Sequence, residues 1–314
     1  MKVLITGAMG YIGGRLVQHL NHDKDINLVL GSREKILAPS WAPNAKTIQM
    51  NWDLLESFDE ACISVDVVIH LAGMNGQDCA ANPIAALRSN GEATGRLLAS
   101  AIKQRVKRFI FLSTAHVYAN PLLGTITEKT PTLSSHPYAI SNRAGEELVL
   151  GAHQKNEIEG VVVRLSNSFG APAHKGANCW MLLVNDLCYQ AVTTRCMVLS
   201  SSGSALRDFV PLTDVCNALT HLLKLSKQDL GDGLFNFGSG HSQTVMQMAT
   251  LVQSRCEKIL GYKPSLSRIN GGEIASCDNL VYRSDAINSS GFNEYTEKSE
   301  EIDQLLKFCK EAFQ

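Results

Sequence analysis

Two features common in membrane and nucleic-acid-binding proteins are missing from this 314-residue chain. No run of roughly 18 apolar residues occurs, so we expect no transmembrane helix, and only six residues precede Gly7, so we expect no signal peptide. The 29 Lys and Arg residues balance 30 Asp and Glu residues and form no basic block. Neither a nucleic-acid partner nor a membrane surface is therefore expected.

Cysteine spacing excludes two further classes of protein. The nine cysteines are scattered, odd in number and never spaced as CxxC, which disfavours a disulfide framework and a zinc site. We predict buried thiols in a reducing compartment, a cytoplasmic location and no bound metal.

What the chain does contain is alternating strand and helix patterns. With 45% apolar residues it can bury a full core. Short β-branched runs alternate with segments of helical periodicity near 11–22, 84–105 and 138–155. Because the runs are apolar on both faces, they predict a doubly wound α/β fold with a parallel sheet. The predicted strands are 2–6, 26–30, 47–50, 65–73, 107–114 and 160–165.

The pattern loosens after about residue 170. Gly- and Ser-rich stretches separate predicted helices near 178–192, 213–226 and 244–261. We predict a Rossmann dinucleotide-binding domain over 1–169, which shares later elements with the C-terminal half, and a smaller mixed substrate-binding lobe over 170–314.

A glycine-rich turn joins the first predicted strand to the first helix. Gly7, Gly10 and Gly13 form a GxxGxxG pattern, with Tyr11 and Ile12 at the helix start. Glycine lets the backbone turn sharply and approach a diphosphate, while the helix N-terminus supplies N–H donors. We predict that these five residues bind a dinucleotide.

The end of the second strand bears on the choice of cofactor. It carries Ser32 and Arg33 and no acidic residue. An acid there would bind the ribose hydroxyls of NAD, whereas a guanidinium suits a 2′-phosphate, so we favour NADP over NAD. Asp53, after the third strand, is predicted to contact the adenine, to cap the following helix, or to do both.

Five further motifs identify a family. They are "HLAG" (70–73), "LSTAHVY" (112–118), "HPYAIS" (136–141), "VVRLSNSFG" (162–170) and "RDFVPLTDVCNAL" (207–219). Together with the glycine turn they resemble the extended short-chain dehydrogenase/reductase family, in its nucleotide-sugar epimerase, dehydratase and ketoreductase branch. The resemblance covers nearly the whole chain. It implies a Rossmann fold, a nicotinamide cofactor, a nucleoside-diphosphate sugar and a Thr/Ser–Tyr–Lys catalytic group.

The resemblance also implies roles for individual residues. Thr114 and Tyr138 match the catalytic hydroxyl and phenol, and Asn142 occupies the position of the catalytic lysine. Substrate binding is implied for Ser113 and, at the diphosphate, for Asn167, Arg207 and a second arginine for which Arg283 is the candidate. Cofactor binding is implied for Leu71, Ala72, Gly73 and Asn90.

Position 142 is the departure from the family pattern. A tyrosine has a pKa of about 10, so little phenolate exists at neutral pH. A lysine four residues later shares its helix face, and at about 4 Å would favour phenolate by about 4 kcal/mol at an effective dielectric constant of 20. Asn142 supplies no charge, and Arg143 points about 100° around the helix. We therefore predict slow oxidation.

The leading hypothesis is an NAD(P)-dependent C4 epimerase or 4-ketoreductase. Ala115 and His116 follow Thr114 where dehydratases carry acids, which argues against dehydration. The alternatives are a catalytically silent dinucleotide-binding protein and a reductase of non-nucleotide substrates. The family implies a homodimer formed through helices near 84–105 and 138–155. We expect Glu128 to make a loop contact and Glu146 to lie on a solvated helix face.

Overall fold

The computed structural model describes residues 1–269 and 279–314. Its strands are β1 (Lys2–Thr6), β2 (Asn27–Ser32), β3 (Lys46–Gln49), β4 (Val67–His70), β5 (Arg108–Thr114), β6 (Gly124–Ile126), β7 (Glu159–Leu165), β8 (Asn167–Phe169), β9 (Cys196–Leu199), β10 (Leu206–Pro211), β11 (Leu234–Phe237), β12 (Ser242–Thr244), β13 (Ser265–Arg268) and β14 (Leu280–Tyr282). Its α-helices are α1 (Tyr11–Leu20), α2 (Leu55–Ala61), α3 (Gly76–Ala81), α4 (Pro83–Ala86), α5 (Ala93–Lys103), α6 (Pro137–Gln154), α7 (Leu183–Thr194), α8 (Leu212–Lys224), α9 (Val245–Leu260), α10 (Asp285–Ser289) and α11 (Lys298–Phe313).

A seven-stranded sheet in the order β11-β7-β5-β4-β1-β2-β3 forms the centre of the molecule. All its neighbouring strands pair in parallel. Val3, Ile5 and Ile69 pack on one face with α1 and α8, whereas Leu4, Val68 and Phe109 pack on the other with α2, α5 and α6. The predicted doubly wound α/β class is confirmed.

Side-chain alternation in this sheet decides which residues can reach the site. Consecutive strand residues point to opposite faces, and β5 pairs with β7 so that Ser113 lies beside Arg164 and Thr114 beside Leu165. In a parallel sheet the carboxyl ends of the strands meet at one edge. The ends of β1, β4 and β5 there carry Thr6, His70 and Thr114.

The C-terminal half adds β11 and α8 to this layer and builds a second core. In that core, Leu187 of α7, Val252 of α9 and Leu305 of α11 are buried together. The strand order β12-β10-β8 forms a small sheet beside it. β8 begins two residues after β7 ends, which brings the second lobe to the carboxyl edge of the main sheet.

Two helices differ from the predicted pattern. The segment predicted as one helix over 84–105 contains a π-helical turn, Leu87–Glu92, between α4 and α5. The helix predicted from 178 begins at Leu183, because the preceding residues form turns closed by backbone bonds such as Leu182 N to Cys179 O. Among the described residues, no helix combines the length and hydrophobicity needed to span a membrane.

Candidate active site

The glycine turn after β1 has the geometry of a phosphate-binding loop. Gly7 has φ +69°, a conformation that glycine adopts without strain, and Gly10 N donates to Gly7 O at 2.8 Å. A Cβ at Gly7 would lie 2.8 Å from Ala72 N, and one at Gly13 would lie 2.1 Å from Gly7 O. The loop, the strand end after β4 and the first turn of α1 therefore fit together only with glycine at these positions.

The N-terminus of α1 opens beside this loop. Its N-cap is Gly10, and no side chain caps the helix, so the first N–H groups have no side-chain acceptor. Tyr11 and Ile12 occupy the first two helical positions. Uncapped donors and the positive end of the helix dipole suit a diphosphate. The residues present thus fit a dinucleotide.

The segment after β4 lines the same edge. Leu71 N donates to Thr6 O at 3.3 Å, and a Cβ at Gly73 would lie 2.8 Å from Asn90 Oδ1. Asn90, buried in the π-helical turn, accepts from Met74 N at 2.7 Å. The structure thus places Ala72 beside the loop and Asn90 beside Gly73, and the cofactor contacts predicted for Leu71, Ala72, Gly73 and Asn90 stay predictions.

The residues predicted to choose the cofactor lie at the end of β2. Arg33 is exposed, and no ion pair holds its guanidinium among residues 1–269 and 279–314. The Ser32 hydroxyl accepts from Glu34 N at 3.2 Å. Both side chains therefore lie at the end of β2, and the preference for NADP stays a prediction.

The helix-capping role predicted for Asp53 is wrong. The N-cap of α2 is Leu54, without a side-chain hydrogen bond, because the chain turns one residue later than the pattern suggests. Asp53 is exposed in the turn after β3, where its N–H donates to Asn51 Oδ1 at 3.0 Å and its carbonyl accepts from Arg96. Both of these bonds use the main chain of Asp53, and the adenine contact predicted for its carboxylate stays a prediction.

Thr114 and Tyr138 meet at the carboxyl edge of the sheet. Thr114 ends β5, and Tyr138 is the second residue of α6, with its N–H donating to His136 Nδ1 at 3.2 Å. Burial raises the pKa of Tyr138, a hydrogen bond with Thr114 lowers it, and the Cys79 thiol raises it. Since no Lys or Arg in the described residues is among these influences, the phenol stays protonated at neutral pH.

Asn142 lies one turn below Tyr138 but does not serve its phenol. The Asn142 Nδ2 donates to the main-chain carbonyl of Tyr138 at 2.8 Å, and the side chain is buried. Ser141 Oγ donates to the same carbonyl at 3.1 Å. The amide thus braces the first turn of α6. The assignment of Asn142 to the family's lysine position stays a prediction.

The expectation of a solvated Glu146 is wrong. Glu146 is fully buried and forms an ion pair with Arg164 of β7, whose Nη2 donates to Oε2 at 2.7 Å. The Ser113 hydroxyl, buried on the same sheet face as Arg164, donates to Glu146 Oε1. The Ser113 hydroxyl therefore bonds a buried carboxylate, whereas the substrate role predicted for it requires a hydroxyl that a substrate can reach.

The network continues through three residues that the sequence analysis did not single out. Arg164 Nη1 donates to Tyr118 Oη at 3.0 Å, and its guanidinium lies 4.8 Å from the Tyr118 ring centroid. Asn236 Oδ1 accepts from Tyr118 at 2.7 Å and from Tyr282 at 3.0 Å. An arginine inside the apolar run "VVVRL" was the available signal, because a buried guanidinium requires acceptors.

A cationic group of the second lobe lies close to His116, two residues after Thr114. Arg207 of β10 is partly buried, makes one bond to Leu206 O at 2.9 Å and has no carboxylate partner among the described residues. Burial, followed by the charges of Arg207 and His136, lowers the pKa of His116. Asn167 of β8 donates to Asp208 O at 3.0 Å, next to Arg207. The diphosphate-binding roles of Arg207 and Asn167 stay predictions.

Arg283 is the candidate for the second arginine at the diphosphate, and that role stays a prediction. It is exposed after β14, and its Nε lies 2.9 Å from Asp285 Oδ2. Pairing with an acid two residues away uses the guanidinium locally. Arg268 ends β13 and donates to Ser202 O at 3.2 Å.

Comparison with known proteins agrees with this geometry. Residues 3–238 match the model of the NAD dependent epimerase/dehydratase family. The chain is 26% identical over 306 residues to a bovine UDP-glucose 4-epimerase, covering 88% of this chain and 87% of the relative. It is 25% identical over 262 residues to a human dTDP-D-glucose 4,6-dehydratase, covering 79% and 72%.

Solved structures show the same fold. The UDP-glucuronic acid 4-epimerase from Bacillus cereus, in complex with UDP-glucuronic acid and NAD, superposes with a TM-score of 0.80 at 19% identity over 100% of both chains. MoeE5, in complex with UDP-glucose and NAD, gives a TM-score of 0.79 at 23% identity over 100% of both chains. The family match spans the phosphate loop, Thr114 and Tyr138, and on that evidence the chain belongs to the NAD dependent epimerase/dehydratase family.

Proposed function

We propose that this protein is an NAD(P)-dependent oxidoreductase that acts at C4 of a nucleoside-diphosphate sugar, as a 4-ketoreductase or 4-epimerase. The observation that carries the proposal is the placement of Thr114, at the end of β5, and Tyr138, in the first turn of α6, close together at the same sheet edge as the glycine loop. Hydride exchange at a sugar carbinol needs a proton to move at the oxygen, and this pair is placed to move it. The nicotinamide supplies or accepts the hydride.

The state of the phenol favours the reductive direction. A protonated Tyr138 can donate to the oxygen of a 4-keto sugar, with Thr114 holding that oxygen. Oxidation instead needs the phenolate form of Tyr138. Burial disfavours phenolate, and no fixed cation in the described residues stabilises it. We therefore expect reduction to be faster than oxidation at neutral pH.

Arg207 supports a diphosphate-bearing substrate. It is a partly buried guanidinium without a carboxylate, so an anion from outside the chain would complete its pairing. Asn167 lies on the neighbouring strand and uses one amide hydrogen on Asp208 O. Its second amide hydrogen would be available to the diphosphate. A reductase of uncharged, non-nucleotide substrates would have no use for this pair.

Arg33 supports NADP as the preferred cofactor, whereas the relatives of known structure named above were solved with NAD. An exposed guanidinium at the end of β2 suits a 2′-phosphate, because its planar fork binds phosphate oxygens bidentately. Measured dissociation constants for NADPH and NADH decide the matter. Equal affinities in the wild type, or an Arg33→Ala variant that loses both cofactors alike, would rule out phosphate reading by Arg33.

Two apolar helix faces support the homodimer. Ile84 and Leu87 near α4, with Ile140 and Leu148 on α6, are 62%, 40%, 38% and 46% exposed. Such exposed large side chains on two adjacent helices are typical of a subunit contact. Sedimentation of the wild type and of Leu148→Glu tests this contact.

The alternative proposal is a silent dinucleotide-binding protein, and its support is the engagement of Asn142 with a main-chain carbonyl. Single-turnover reduction of 4-keto nucleotide sugars with NADPH or NADH separates the two proposals. We expect slow but measurable reduction, and Arg207→Ala should weaken nucleoside-diphosphate binding by about 2–3 kcal/mol while cofactor affinity is unchanged. Tight cofactor binding without turnover for any nucleotide sugar would favour the silent protein.

A further inference from the structure

The phosphate loop is held from outside by two aromatic side chains that the sequence motifs do not include. His174, in the connection between β8 and α7, forms a hydrogen bond of 2.9 Å between its Nε2 and the carbonyl oxygen of Met9. Met9 lies inside the loop, between Gly7 and Gly10. Because a carbonyl can only accept, Nε2 carries the hydrogen.

Trp41 fixes the other side of the imidazole. The two rings stack with centroids 5.4 Å apart and planes 11° from parallel. Trp41 comes from the connection between β2 and β3 and packs against the same apolar core as Tyr11 and Ile12. The Trp41 Nε1 is buried without a hydrogen-bond partner in the described residues, so the indole is held by its faces.

The chain around His174 is pressed onto α1. A Cβ at Gly14 would lie 2.9 Å from the Ala173 Cβ, and Tyr11 Oη donates to Gly170 O at 3.2 Å. Three contacts within five residues therefore tie the 170–174 segment to the loop and to the first turn of α1. A segment held this closely constrains the main-chain N–H groups that a diphosphate would meet.

We propose that His174 and Trp41 are positioning residues for the cofactor: through the Met9 carbonyl they hold the phosphate loop in the conformation that binds the dinucleotide diphosphate. This inference rests on the proposed cofactor site. The stack links one connection of the dinucleotide-binding half to one of the second lobe. Its loss frees the loop to turn its N–H groups away, so the cofactor binds less tightly and leaves faster.

The test uses the full chain and measures NADPH and NADH dissociation constants and release rates by fluorescence. His174→Ala and Trp41→Ala should each weaken cofactor binding about tenfold, the size of one net hydrogen bond or ring contact. His174→Gln retains a donor for the Met9 carbonyl and a planar amide that can lie against the Trp41 ring, and Trp41→Phe retains a ring without the N–H. Both should bind within about twofold of wild type. His22→Ala, at an exposed histidine, is the matched control.

The readouts separate positioning from general destabilisation. Binding of a nucleoside-diphosphate sugar should not change, because that site is formed by other residues, and the thermal midpoints of His174→Gln and Trp41→Phe should match wild type. Wild-type cofactor affinity in both alanine variants would overturn the proposal, as would equal losses in His174→Gln and His174→Ala. If the wild type binds no dinucleotide, the proposed function itself fails.

Discussion

Along one face of α6, the N-terminal turn and the next turns differ in charge. Tyr138 and Asn142 lie in the first turns, and no fixed cation is beside them in the described residues. Glu146, four residues further along, is fully buried and paired with Arg164. The comparison shows that the guanidinium of Arg164, which packs against this face from β7, pairs with Glu146 rather than with Tyr138. Its Nε, Nη1 and Nη2 atoms each donate to Glu146 or Tyr118, and no hydrogen bond joins Arg164 to the phenol of Tyr138 in the described residues.

Tyr138→Phe breaks the upper end and should have the largest effect. Removing the positioned proton donor should lower turnover by about 10²–10⁴-fold in both directions, the range typical of general acid–base catalysis. The free energy of unfolding and the cofactor affinity should hardly change, because the phenol is not part of the buried network. Residual activity near wild type would mean that another group moves the proton.

Glu146→Gln breaks the lower end. It leaves the buried Arg164 charge without its carboxylate and should lower the free energy of unfolding by about 3–5 kcal/mol in urea denaturation. The matched control is Glu147→Gln, at an exposed neighbour on the same helix. A loss below about 1 kcal/mol would show that the pair is replaceable by neutral hydrogen bonds.

Asn142→Lys would make the two ends alike by adding a cation beneath Tyr138. Burial raises the pKa of the phenol, so phenolate, and with it the oxidation rate, appears only as pH rises. An ammonium favours phenolate, lowers that pKa and moves the rising limb of the pH profile toward acid. If the phenol becomes about ten times more acidic, oxidation at neutral pH should become about tenfold faster. A wild-type rate that is already pH-independent between about pH 6 and 8 would identify a different tuning group.

Ser113→Ala sharpens the comparison with the smallest effect. If the hydroxyl serves the buried end, its loss should cost about 1–2 kcal/mol of unfolding free energy and leave the KM for the sugar nucleotide unchanged. Thr114→Ala, at the next residue, should instead lower kcat and leave the free energy of unfolding nearly unchanged. A raised KM with unchanged stability would instead support the substrate role first predicted for Ser113.

The phosphate loop could be predicted from sequence because its constraint is local. A positive φ at Gly7 and a backbone contact that excludes a Cβ both leave glycine as the residue that fits. The same is true of the sheet, whose strands are short apolar runs. The seventh strand, β11, was not predicted, because four residues of "LFNF" give too little pattern.

The network below Tyr138 was harder to predict, because polar residues were judged by exposure typical of their type. Glu146 follows Tyr138 at twice the four-residue helical spacing, and Ser113 precedes Thr114 on a strand whose side chains alternate. Alternation alone implies that these two hydroxyls face opposite sides of the sheet. Which one faces the cleft depends on where α6 packs, and that is decided by tertiary contacts such as those of Gly145 with Phe111.

The π-helical turn at Leu87–Glu92 makes the length of this segment matter as much as its composition. A wider turn holds one residue more than an α-helical turn over the same rise. Deleting one residue there would let the segment close into regular α-helical geometry, with α4 and α5 keeping their relative rotation, and would remove the wide turn that holds Asn90. Asn90 could then no longer bond both Met74 and Ser141. Among related sequences, a one-residue gap at this turn would therefore mark proteins in which Met74 and the first turns of α6 are held differently.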